Sequence, residues 1–146
     1  MKMVSYNIQY GLGSDNQYDL ERIAKEIEES DIIALQEVDR HWERSGNIDQ
    51  PQILGDYLKD HFWVYGPNFD MHSETTMNDG RPFKNRRRQF GTMILSKTPI
   101  LSSRNFLLPK YGAVEQHSIQ QGILEAVINT AIGAVRFYSV HLSHLS

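Results

Sequence analysis

Apolar and polar residues keep two different periods along this chain, and the change between them divides it. Val4, Tyr6 and Ile8 recur at every second position over Lys2–Ile8, the spacing of a strand with one buried face. Turn residues at Gly11-Leu12-Gly13-Ser14-Asp15-Asn16 break that pattern. Over Asp19–Glu29 the apolar Leu20, Ile23, Ala24 and Ile27 fall at helical spacing, with Glu and Lys on the other face. Asp15, Asn16 or Asp19 is placed to cap that helix. Ile32-Ile33-Ala34-Leu35 is a continuous apolar run of the kind a buried strand carries. Strand, helix and strand predict a βαβ unit with parallel strands and a right-handed crossover.

Residues 36–50 are polar and read as a loop. Pro51 stands where a helix starts, and Ile53, Leu54, Tyr57 and Leu58 supply its buried stripe. Phe62–Tyr65 reads as a third strand. Residues 66–88 hold two prolines and scattered Gly, Asn and Asp, which predicts a long functional loop. After it the pattern is strands alone: Phe90–Ser96, Ile100–Leu108, Ile119–Asn129 and Ala134–Leu142. The last two are joined by a hairpin around Thr130–Gly133. The expected class is α/β (α+β), with helices early and antiparallel strands late.

Composition narrows the function classes. The chain has 146 residues, 40% hydrophobic and 23% charged, which suits one globular domain. No apolar run approaches the roughly 20 residues needed to span a bilayer, so membrane insertion is not expected. The first residues lack the apolar stretch of a secretory signal, and the expected location is cytoplasmic. Cysteine is absent, which excludes disulfides and thiolate metal sites. A net charge of -3 gives no global attraction to polyanions, so their binding would need a local patch.

Three predicted strand ends carry chemistry: Asn7, Gln36-Glu37 and His141. Ligands gather outside the carboxyl ends of strands in α/β sheets, so these residues are placed to converge at one rim. Glu37, after a buried apolar run, can offer an oxygen ligand to a hard cation such as Mg²⁺. Lys84, Arg86, Arg87 and Arg88 form a basic run between Phe83 and Phe90. That run either holds phosphate, acting in substrate capture rather than chemistry, or is a solvated loop. His141 and His144 point to opposite faces at strand spacing, which argues against a shared zinc ion. His41, His61, His72 and His117 read as surface residues.

Ser5-Tyr6-Asn7-Ile8, Leu35-Gln36-Glu37-Val38, Phe90-Gly91-Thr92-Met93-Ile94-Leu95-Ser96 with Pro99-Ile100, and Val140-His141-Leu142 follow in an order that resembles the endonuclease/exonuclease/phosphatase superfamily. The resemblance runs from Met3 to Ser146. It implies a deoxyribonuclease-I-like β-sandwich with outer helices, and metal-dependent hydrolysis of phosphate esters. It also implies that Glu37 binds Mg²⁺ or Mn²⁺, that Asn7 lies near metal and scissile phosphate, and that His141 hydrogen-bonds a phosphate oxygen. The substrate is left open between nucleic acid and a small phosphodiester.

The departures from that pattern carry expectations of their own. Superfamily members continue to an Asp-x-Asn motif and a final Asp-His pair, and neither His141 nor His144 follows an aspartate. Residues 1–146 therefore resemble the N-terminal part of a single domain, about one sheet and its helices. Such a part is expected to be inactive alone. The alternative is a non-catalytic binding or interaction module that retains the fold. A sheet face with Val4, Ile33, Leu35, Ile94 and Val140 left bare is expected to drive self-association, as in a homodimer.

Overall fold

The computed structural model describes residues 1–109 and 121–142. Strand β1 (Met3–Asn7) leads through a tight turn at Gln9–Gly11 to helix α1 (Leu20–Ile27) and strand β2 (Ile32–Arg40). Helix α2 (Gln50–Tyr57) follows, then strands β3 (Phe62–His72), β4 (Arg87–Ser96), β5 (Ile100–Leu107), β6 (Gly122–Thr130) and β7 (Gly133–His141). Asp19 caps α1 by accepting from Arg22 N at 2.9 Å. Asp49 caps α2 by accepting from Gln52 N at 3.1 Å, and Pro51 occupies its first turn, where a missing N–H costs nothing.

The strands form two sheets, ordered β1-β2-β4-β3 and β5-β6-β7. β1 runs parallel to β2, with Val4 opposite Ile33, as a βαβ unit requires; the other pairings are antiparallel. The first sheet is buried on both faces. One face, with Ile33, Leu35, Val38, Met93 and Leu95, packs under Leu20, Ile23, Ala24 and Ile27 of α1 and Leu54 of α2. On the other, Ile32 and Ile94 meet Leu124, Ala126 and Ile128 of the second sheet. The sheets approach closely at Gly66, where an added Cβ would lie 2.9 Å from Leu124 Cδ1.

The sandwich with outer helices is as the sequence predicts, but the strands divide into two sheets rather than about one. The face expected to lie bare is corrected accordingly. Ile33 and Leu35 face the helices, and Ile94 is 1% exposed beneath the second sheet. Self-association thereby loses its premise at those residues. The predicted loops at 36–50 and 66–88 are strand at their edges: β2 continues to Arg40, and β3 continues to His72 opposite Arg87. His61 is buried rather than a surface residue, and its Nε2 lies 2.7 Å from Ser30 O. His117, His144 and the predicted strand start at Ile119 lie outside the described residues. Among the described residues, no helix is long and apolar enough to cross a membrane.

Candidate active site

Glu37 owes its position to a fault in the strand. Leu35 pairs with Met93 and Val38 with Gly91, so Gln36 and Glu37 together oppose Thr92 alone. This is a β-bulge, and Glu37 takes its left-handed conformation at φ +56°. The extra residue lets both Leu35 and Val38 enter the helix-side core while Glu37 turns out to the rim. Such a conformation in a non-glycine residue costs roughly 1–3 kcal/mol and is met most often at functional sites. Among the described residues, no hydrogen-bond donor satisfies the Glu37 carboxylate.

Asn7 ends β1 opposite Gln36 in the register, which places it beside Glu37. Its Oδ1 accepts from Gln9 N at 3.0 Å, as the chain enters a turn with positive φ at Gln9 and Tyr10. His141 ends β7 on the other sheet, and its Nε2 lies 3.8 Å from Glu37 Oε1. That separation is longer than a hydrogen bond. The structure thus brings Asn7, Glu37 and His141 together at one rim, from three strands and both sheets.

A buried polar layer under this rim was not apparent from the sequence. Asp39, fully buried, accepts from Arg44 Nε at 2.9 Å, Arg44 Nη2 at 2.8 Å and Ser45 Oγ at 2.8 Å. Gln50 Oε1 accepts from Asp39 N at 2.9 Å, and its Nε2 donates to Tyr10 O at 2.7 Å. Gln50 thereby ties β2 to the turn that follows Asn7. The Arg44 guanidinium stacks over the Tyr10 and Trp42 rings, at 4.1 and 4.6 Å from their centroids. The signal in the sequence was Trp42 standing between Arg40 and Arg44, an aromatic among cations in a stretch read as loop.

The three arginines of the basic run have separate neighbours. Arg86 lies over the Phe83 ring at 3.6 Å. Arg87 pairs with Asp70 at 2.8 Å. Arg88 lies over Trp42 at 4.9 Å.

Among the described residues, no three His, Asp or Glu side chains converge on one point. The donors at the rim still suit a hard divalent cation that keeps most of its waters and shares substrate oxygens. Glu37 offers an unsatisfied, partly exposed carboxylate, and Asn7 Oδ1 keeps a second lone pair.

A comparison with curated protein sequences gives no match. Among solved structures, the chain is similar to an endonuclease/exonuclease/phosphatase from Beutenbergia cavernae DSM 12333, with TM-score 0.73 and 22% identity over 97% of this chain and 38% of that one. It is also similar to an endonuclease/exonuclease/phosphatase family protein from Leptotrichia buccalis C-1013-b, with TM-score 0.67 and 20% identity over 98% of this chain and 55% of that one. The human Nocturnin catalytic domain, solved with a bound sulfate anion, gives TM-score 0.52 and 16% identity over 94% of this chain and 47% of that one. The chain therefore spans between 38% and 55% of the length of these three structures. At these identities the likeness establishes the fold, and the family comes from the sequence itself. The profile of the Endonuclease/Exonuclease/phosphatase family matches residues 4–143, nearly the whole chain, and the chain belongs to that family.

Proposed function

We propose that Asn7, Glu37 and His141 form part of the active site of a divalent-metal-dependent phosphoesterase that cleaves phosphodiester bonds. The observation that carries this reading is the bulged, left-handed Glu37, whose carboxylate faces His141 Nε2 at 3.8 Å from the opposite sheet. Strain of this kind persists where the surroundings hold it, and here the buried Gln36 and Val38 on either side of Glu37 do so. Glu37, with Asn7 beside it, would hold Mg²⁺ or Mn²⁺, which neutralises charge on phosphoryl oxygens when bound. Asn7 Nδ2 is left as a donor for a phosphate oxygen, because the bond from Gln9 N fixes which end of the amide is Oδ1. His141 presents Nε2 to the same space and can donate to an anionic oxygen as charge develops there. The sulfate held by a protein of this fold, a tetrahedral oxyanion like phosphate, supports an oxyanion site.

The test is hydrolysis of bis(p-nitrophenyl) phosphate and of plasmid DNA by the full-length protein during titration with Mn²⁺. Activity should appear with the metal, vanish with EDTA and fall by about 100-fold or more in Glu37→Gln. A Glu37→Gln protein with unaltered rate and metal dependence would remove the assignment. Absence of turnover on every phosphate ester, with metal present, would instead favour the non-catalytic binding module.

A further inference from the structure

A further cation, Arg88, stands along the same face of the first sheet, and among the described residues it makes no ion pair. Arg44 has Asp39 and Arg87 has Asp70, but among the described residues Arg88 has no carboxylate partner. Its Nε is buried without an acceptor, which leaves a strong donor unsatisfied. Both guanidiniums lie against Trp42, Arg44 at 4.6 Å and Arg88 at 4.9 Å from its ring centroid. The indole is fixed in turn by donating from Nε1 to Gln89 O at 2.8 Å.

Arg88 lines a polar cavity of about 360 Å³ with His41, Glu43, Asn47, Ser73, Glu74, Thr75 and Thr76. That volume is at the low end of the roughly 300–1,000 Å³ common for ligand sites. The cavity combines one unpaired guanidinium with two carboxylates, an amide and several hydroxyls. A lone phosphate would meet repulsion from Glu43 and Glu74. A nucleotide unit offsets that repulsion: its phosphate suits Arg88, while its sugar hydroxyls or base N–H groups can donate to the two carboxylates and to the Asn47 amide oxygen.

The distance to Glu37 gives this cavity its meaning. Val38, next to Glu37, pairs with Gly91, and Arg88 lies three residues before Gly91 on β4. At about 3.3 Å per residue the two lie roughly 10–13 Å apart along the sheet. Measured between backbone positions, that span is wider than one phosphate group. We propose that Arg88 and the cavity beside Trp42 form a subsite for a neighbouring nucleotide of a polynucleotide substrate whose scissile phosphate lies at Glu37 and His141. The subsite rests on the phosphoesterase reading, and of the two open substrate classes it selects nucleic acid over a small phosphodiester.

Two measurements separate the subsite from that reading. Anisotropy of a fluorescein-labelled single-stranded octanucleotide, in EDTA, reads binding without turnover, in DNA and RNA versions. Arg88→Met should raise Kd about tenfold and reduce the slope of log K against log salt by about 0.7, the release expected for one contact on a single strand. Arg88→Lys, which keeps the charge but loses the planar fork, should keep the salt slope and give an intermediate Kd. In Mn²⁺, Arg88→Met should lose about tenfold more kcat/KM on the octanucleotide than on bis(p-nitrophenyl) phosphate. Equal losses on the two substrates, or an unchanged Kd and slope, overturn the subsite. If Arg88→Met unfolds by circular dichroism, Arg88→Lys carries the comparison, and a Kd equal to wild type then overturns it. Failure of the wild type to hydrolyse either substrate tells against the phosphoesterase reading, while the anisotropy result stands on its own.

Discussion

Gln36 donates from Nε2 to Ser139 Oγ at 3.0 Å across the gap between the two sheets, with both residues buried. The same Nε2 reaches Ser5 Oγ at 3.3 Å, so one amide joins β1, β2 and β7. It does so one residue before Glu37 and two before His141. Residues two apart on a strand share a face, so the bond that places Ser139 also aims His141 at Glu37. Gln36→Leu should cost about 1–2 kcal/mol by leaving the Ser139 hydroxyl buried without its donor. Turnover should fall further than that loss explains, because the spacing of Glu37 and His141 loosens. A double-mutant cycle with Ser139→Ala measures the coupling by urea denaturation. Strict additivity would show that the bond does not link the sheets.

Glu37 exchanges local stability for its position. With φ at +56°, glycine fits this backbone better than any side chain does. Glu37→Gly should therefore fold with a stability equal to wild type or up to about 1 kcal/mol higher, although the carboxylate is gone. Thermal unfolding beside a hydrolysis assay checks the two effects together. A clear loss of stability would mean that the Glu37 side chain supports the fold rather than the site.

Asp39 is the anchor of the layer beneath the rim. Its carboxylate is fully buried, and among the described residues Arg44 and Ser45 supply its three side-chain bonds. Removing one member of a buried pair leaves the other uncompensated, at about 3–5 kcal/mol. The Arg44 side chain is 34% exposed and can recover some hydration, which places Asp39→Ala near the lower end, about 3 kcal/mol. Urea denaturation would show this as a lower midpoint at an unchanged m-value. A cost below about 1 kcal/mol would mean that Arg44 holds its place by stacking on Tyr10 and Trp42 alone.

The parts of this fold that the sequence disclosed are those with a local cause. Leu20, Ile23, Ala24 and Ile27 repeat at helical spacing because one face of α1 is buried and the other wet. Asp19 and Pro51 mark helix starts through bonds made within one turn. Division into two sheets has no such local mark. Ile32 faces the second sheet and Ile33 the helices, and a run that is apolar on both faces does not say what covers each. The outer end of the β3–β4 hairpin was hidden for the opposite reason. Asn68, Asp70 and His72 are polar, so the segment reads as loop, although its backbone stays paired with Arg87–Phe90. Glu37 was legible from its motif. Asp39, Arg44 and Gln50 were not, because their role lies in contacts made only after β2 and the turn at Tyr10 are brought together.

Asp15 gives the fold a dependence on acid that can be separated from the candidate-site groups. Two bonds from the Arg22 guanidinium, with Gln17 N, hold its carboxyl well below the ordinary carboxylate range, at about 2. The pair fastens the loop that leads into α1: at Gly13 an added Cβ would collide with the same guanidinium. A carboxyl whose pKa is lowered by folding adds stability that is fully present above its unfolded value near 4. That stability is lost as the pH falls from there through about 2. Asp15→Asn should therefore be less stable than wild type at neutral pH, and the difference should close as the pH falls through that window. Both partners are nearly half exposed, at 44% and 47%, so added salt should shrink the neutral-pH difference. Denaturation of both proteins across this range, at low and high salt, checks the sign. A difference that persists below about pH 2, or widens there, would place the role of Asp15 in the shape of the turn and not in its charge.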